Sequence, residues 1–103
     1  MLQSDEEAEL AIARVVSFEG VSKERMEELG REMGDREQPE GLNATEFVML
    51  HDPGAETALA IVFFETEEDY ERGDEVLSAM PADDTPGRRA SVARYDVAVR
   101  MTP

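Results

Sequence analysis

The sequence predicts one α+β domain in the order strand, helix, strand, strand, helix, strand, with its four strands in a single antiparallel sheet. Three observations predict it. Four short runs are rich in β-branched and aromatic residues and are bounded by turn residues. Two intervening segments repeat apolar residues at helical spacing behind a capping residue. The two halves also echo each other: Arg14–Leu29 (RVVSFEGVSKERMEEL) is similar to Ala60–Leu77 (AIVFFETEEDYERGDEVL), each a strand ending at a glutamate, Glu19 or Glu65, and then a capped helix.

Taken in order, residues 1–9 (MLQSDEEAE) read as an acidic lead-in with one short turn at Ser4, and the domain is expected over 10–103. From Leu10 to Phe18 the chain turns apolar, and Gly20 closes this first strand. Ser22 is a good N-cap for the first helix, and Val21 before it can staple onto Met26, one turn in. Met26, Leu29 and Met33 recur on one helical face, with Gly34 placed for a left-handed cap. A Pro39-containing loop leads to a second strand, Thr45–Leu50, and then to His51-Asp52-Pro53-Gly54, in which proline presets φ and glycine accepts a positive one. The short spacing to a third strand, Thr57–Glu65, predicts an antiparallel hairpin. Thr66 caps the second helix with Asp69 three residues on; Tyr70, Val76, Leu77 and Met80 make its stripe, and Gly73 marks a close approach on that face. Pro81 stops it, Ala82–Gly87 is turn-rich, and a long strand over Arg89–Met101 closes the domain.

This βαββαβ order with an internal duplication is the ferredoxin-like pattern, which sets both helices on one face of the sheet and leaves the other bare. On a monomer the bare face should read polar at every second position. Instead Leu59, Ile61 and Phe63 oppose Ala58, Ala60, Val62 and Phe64, and Phe47 and Met49 oppose Val48 and Leu50, so both faces are apolar. A homodimer joined sheet to sheet is the expectation, and burial between copies would also help a chain this small.

Order, duplication, length and two-faced strands resemble the dimeric α/β-barrel superfamily, near its uncharacterised antibiotic-biosynthesis-monooxygenase-like members, over about residues 10–102. The closing segment SVARYDVAV (Ser91–Val99) is similar to the last strand of many small proteins of that kind. The resemblance implies two sheets paired around an interior that holds an aromatic or polyketide-like molecule, oxidised in some members without metal or flavin. The haem-degrading branch uses an Asn, a Trp and a His. This chain has no tryptophan, so that triad does not carry over.

Composition narrows the partners. A net charge of −15 argues against nucleic acid and against anionic membrane surfaces, both of which need clustered Lys and Arg. Solubility accounts for the acid excess without any function, and the single lysine, Lys23, beside nine arginines reads as coding bias or salt adaptation. Cysteine is absent, which excludes disulfides and thiolate chemistry, and no apolar run approaches the roughly 18 residues of a membrane span. A cytoplasmic location is the default, with no metal or cofactor expected.

No catalytic motif stands out, so the candidates are individual residues. His51 is the only histidine, able to act as a general base or a ligand, although a solvated turn position explains it as well. Asp52 and Glu56 are its only local metal partners. Ser17 and Glu19 share a face of the first strand, where a carboxylate in an apolar barrel could serve as acid or base. Arg94 and Asp96 share a face of the last strand, either as a buried pair or as an ordinary surface pair. For a ligand between the sheets, Phe47, Met49, Phe64 and Arg94 are the expected contacts. The acids at the start of the second helix suit the helix dipole, and the six methionines sit at core spacings. Three readings follow: a small-molecule-binding dimer, a cofactor-independent monooxygenase, or a ligand-free structural or stress-related dimer. They differ in whether a cavity exists and whether a polar group lies in it.

Overall fold

A computed structural model describes residues 11–34, 41–79 and 85–101. The acidic lead-in, the Pro39 loop, Met80, Pro81 and the start of the 82–87 turn lie outside these residues. The elements are β1 (Ile12–Glu19), α1 (Lys23–Gly34), β2 (Glu46–Asp52), β3 (Thr57–Phe64), α2 (Glu67–Ser78) and β4 (Arg88–Asp96). The strands form one antiparallel sheet in the order β2-β3-β1-β4, giving the ferredoxin-like α+β fold that the sequence predicts.

Local chemistry places the helices. The Arg25 N–H donates to Ser22 Oγ at 3.1 Å, and the Asp69 N–H donates to Thr66 Oγ1 at 3.0 Å, so each helix has the serine or threonine cap its sequence calls for. Val21 is fully buried, and Met26 packs against the same cluster, forming the staple that fixes how α1 leaves β1. Gly20 makes that exit possible by taking φ +71°, a conformation that costs a residue with a Cβ.

Packing under the helices follows side-chain size. Where α1 sets down Met26, the sheet offers Ala58, Ala60, Val16 and Phe18. Where α2 sets down Gly73, the sheet offers Phe64, which is wholly buried and meets Tyr70 edge-on at 5.8 Å between centroids. Large residues on one layer thus meet small ones on the other, which is how dense packing is reached without voids. Coverage thins at the two edge strands, where Phe47 and Val92 remain exposed on the helix-bearing face.

Several local expectations need correction. Gly34 is still helical and does not take positive φ, so it forms no left-handed cap. The second strand extends through His51 and Asp52, which pair with Ala58 and Thr57. In the turn, Asp52 Oδ1 accepts from the Gly54 and Ala55 N–H groups, and the left-handed residue is Glu56 (φ 58°) rather than Gly54. The last strand ends at Asp96, not Met101, because the β1 ladder beside it starts at Ile12 opposite Asp96. Beyond that point the Val97 N–H donates to the Ala11 carbonyl at 2.8 Å, and the Arg100 guanidinium settles 5.0 Å over the Phe63 ring and 3.8 Å from Glu46.

Candidate functional site

The register sorts the sheet into rows. Directly opposed residues share a face, so the face without helices carries, from β2 to β4, the rows Glu46-Phe63-Ala13-Tyr95, Val48-Ile61-Val15-Ala93, Leu50-Leu59-Ser17-Ser91 and Asp52-Thr57-Glu19-Arg88. Its middle is apolar and its ends are charged. Leu50, Leu59 and Tyr95 are 49%, 37% and 59% exposed, while Val15, Val48, Ile61 and Phe63 are half-buried by one another. Each end carries an ion pair within the face, Glu19 with Arg88 at one and Glu46 with Arg100 at the other.

The four residues expected to contact a ligand fall on the other face. Phe47, Met49 and Arg94 stand in the helix-side rows Phe47-Val62-Arg14-Arg94 and Met49-Ala60-Val16-Val92, and Phe64 is sealed beneath α2. Arg94 lies 5.1 Å over the Tyr70 ring, with Glu67 at 3.6 Å and Asp96 at 4.0 Å. Its pair with Asp96 is therefore of the ordinary surface kind, since the two side chains are 40% and 79% exposed. A molecule between two open faces would meet Leu50, Leu59, Ile61 and Ser17 instead. Sequence periodicity separates the two sets of alternating residues, but only the register and the helix contacts say which set is covered.

Ser17, Glu19 and His51 do come together. All three border one depression of about 440 Å³ at the hairpin end of the sheet, Ser17 and Glu19 with Leu50, Asp52, Thr57 and Leu59 from the open face, and His51 with Phe18 and Ala58 from the helix-side row. Each is held by a different partner. Ser17 Oγ lies 2.6 Å from Ser91 Oγ across β1 and β4. Glu19 pairs with Arg88. His51 Nε2 lies 3.0 Å from the Val21 carbonyl, which only accepts, so Nε2 carries the proton in this contact. His51 is thus a half-buried strand residue that ties β2 to the start of α1, rather than a solvated turn position. Asp52 serves the turn, and among the described residues no group of three or more His, Asp or Glu side chains is arranged to hold a metal ion.

Ser91 and Ala90 escaped sequence reasoning. The β1–β4 register shifts by one residue between Ser17 and Phe18, leaving Ala90 without a partner on β1 beside the depression. Such bulges re-aim neighbouring side chains and concentrate near functional sites. Arg14 is the other omission. It is 3% exposed and donates from Nε to Asp74 Oδ1 at 2.8 Å and from Nη2 to Ser78 Oγ at 3.2 Å. The signal was present, because Arg14 stands in register with Ile12, Val16 and Phe18, the buried side of β1. It sits opposite Arg94, and α2 answers the two guanidiniums with Asp74 and Glu67. That cluster knits helix to sheet.

Among the described residues, no helix is long and apolar enough to cross a membrane. Comparison of the chain with protein-family models, with curated proteins and with solved structures finds no match.

Proposed function

We propose that the chain works as a homodimer, joined open face to open face, that holds a small apolar or aromatic molecule between its two sheets. One observation carries the reading: the face without helices has one wholly apolar row, Val48-Ile61-Val15-Ala93, flanked by Leu50, Leu59 and Tyr95, which are left exposed. Four strands about 4.8 Å apart and eight residues long at about 3.4 Å each give roughly 500 Å² per face. Two such faces bury about 1,000 Å², near the lower bound of a specific interface. Charge supports a second copy as the cover. On a chain of net charge −15 this face leaves one charge without an ion-pair partner, Asp52 at its edge, since Glu19 and Glu46 are answered in place by Arg88 and Arg100. Another copy of so acidic a chain meets least repulsion there. The finer likeness to antibiotic-biosynthesis-monooxygenase-like proteins is the reason for expecting an aromatic ligand. Binding is favoured over catalysis because Ser17, Glu19 and His51 are each engaged separately and form no proton relay.

Sedimentation from about 1 to 100 μM tests the assembly. The chain should run as a dimer, and Leu59→Lys, which puts an unpaired ammonium in the middle of the joined faces, should run as a folded monomer. A wild-type monomer throughout this range would sink the proposal.

A further inference from the structure

We infer that the outer edge of β4 is a second, weaker self-association surface, on which two copies pair β4 to β4 about a two-fold axis at Ala93 and extend the sheet sideways. The pairing goes beyond the sheet-to-sheet reading and does not depend on it. Backbone direction is the first observation. β4 is an edge strand, paired with β1 on one side only. Residues of an antiparallel ladder alternate between turning both backbone groups to the neighbouring strand and turning both away. The Val97 N–H donates to the Ala11 carbonyl, in the register that sets Asp96 opposite Ile12, so Ser91, Ala93 and Tyr95 turn their backbone groups to β1. Val92, Arg94 and Asp96 therefore turn theirs outward, and among the described residues no other strand reaches that edge.

Charge says what covers it. On a chain of net charge −15, β4 holds three arginines against one aspartate and is the only element with a positive sum. Two of the arginines are answered within the chain, Arg88 by Glu19 and Arg94 by Glu67. Left over are Arg89, which among the described residues donates to the Leu77 carbonyl and meets no carboxylate, and Asp96, 79% exposed with Arg94 4.0 Å away. Both stand on the helix-bearing side of the strand, Arg89 opposite Phe18 and Asp96 opposite Ile12.

A second β4, antiparallel and centred on Ala93, joins these leftovers. It sets Val92 against the partner's Arg94, bonded through their outward groups, and Ser91 against the partner's Tyr95. Past the bulge at Ala90 it brings Arg89 to the partner's Asp96, at both ends by symmetry. Centring on Val92 would set Arg94 against the partner's Arg89, and centring on Arg94 would oppose two guanidiniums, so charge picks the register. β2 is the other strand that could cover this edge. Its Glu46 is taken by Arg100 and its Asp52 by the turn, and a β2-to-β4 contact is head to tail and leaves the same edges free to repeat. The β4 ladder is regular only from Ser91 to Asp96, so the contact is smaller than a standard interface and forms at high concentration.

The chain has no cysteine, so one introduced thiol reads the contact. Ala93 and the partner's Ala93 make a non-hydrogen-bonded pair with Cα atoms about 4.5 Å apart, within disulfide range. In the same register Ser91 lies about 14 Å from the partner's Ser91, out of range. The test uses the Leu59→Lys background, which opens the sheet-to-sheet contact, at about 0.5 mM protomer with diamide as oxidant. Ala93→Cys should form the covalent dimer about tenfold faster than Ser91→Cys. Val92→Pro removes an outward donor while sparing the ladder to β1, and should bring Ala93→Cys linking down to the Ser91→Cys rate. Asp96→Arg should also slow it, and adding Arg89→Asp should restore it, which decides the matter if circular dichroism shows the proline variant unfolded. Equal rates at positions 93 and 91, linking that survives Val92→Pro in a folded chain, or no rescue by the charge swap would overturn the edge pairing and leave the sheet-to-sheet dimer standing.

Discussion

Replacing Gly73 by alanine adds one methyl group, and the structure says where it would go. A Cβ on Gly73 would lie 2.4 Å from both Cε1 and Cζ of Phe64 and 3.1 Å from Leu42 Cδ1. Carbon atoms in contact sit about 3.5–4.0 Å apart, so the clash exceeds 1 Å. Phe64 cannot swing aside cheaply, because it is wholly buried and braced edge-on by Tyr70. Overpacking of this kind costs about 1–3 kcal/mol, against a gain of about 1 kcal/mol from alanine's better helix propensity. The net loss should be up to about 2 kcal/mol and centred near 1 kcal/mol, which is about 4–8 °C in melting temperature for a domain of this size. Gly30 supplies the control. It lies inside α1 with nothing within 4 Å of its would-be Cβ, so Gly30→Ala should gain about 0.8–1 kcal/mol and melt several degrees higher. Thermal and urea unfolding followed by circular dichroism, at one protomer concentration, measure both. If Gly73→Ala melts at or above wild type, the packing of α2 against Phe64 is not as described.

Two further outcomes follow from the charges. Asp74→Ala should destabilise by about 1–3 kcal/mol because it strands the buried Arg14 guanidinium, the figure being reduced because Asp74 is itself 42% exposed. Arg14→Met, which keeps the volume and removes the need for a partner, should stay within about 1 kcal/mol of wild type, and urea denaturation that ranks the two the other way would refute the assignment. Dimer affinity should rise with salt, by roughly tenfold between 0.05 and 1 M sodium chloride, as the Debye length shrinks from about 14 Å to about 3 Å and the repulsion between two copies of charge −15 is screened. A dissociation constant from sedimentation that is flat or weakens with salt would contradict the charge argument.

Much of the fold was legible because local signals agreed. Ser22 and Thr66 announce their helices, Gly73 its close approach, and the alternation in β3 its two apolar faces. The turn was read less well. Asp52 captures two backbone N–H groups and moves the left-handed position from Gly54 to Glu56, a choice made by side-chain hydrogen bonding that dipeptide preference does not register. The site was legible only in part. Ser17, Glu19 and His51 were named from their types and strand positions, and they border one space. Their company was not, because Ser91 reaches Ser17 through a register 74 residues apart and a one-residue shift at Ala90. Phe47, Met49, Phe64 and Arg94 share the opposite side for a similar reason, as alternation alone does not reveal which set a helix covers.

The order β2-β3-β1-β4 has a kinetic consequence. The chain's first strand is an interior strand of the sheet, and both of its neighbours are made late in the sequence. The β2–β3 hairpin closes through a short turn and can form in about 1–10 μs. β1 must wait for a loop that joins residues 12–19 to 57–64, and β4 then closes on β1 across 88–96. Ordering by loop closure makes the hairpin with α2 the natural nucleus, and the insertion of β1 the slow step that completes the sheet. Until β1 arrives, β3 is paired with β2 on one side only and its other edge is open, so the interval before that insertion is when this chain is most exposed to pairing with the wrong strand.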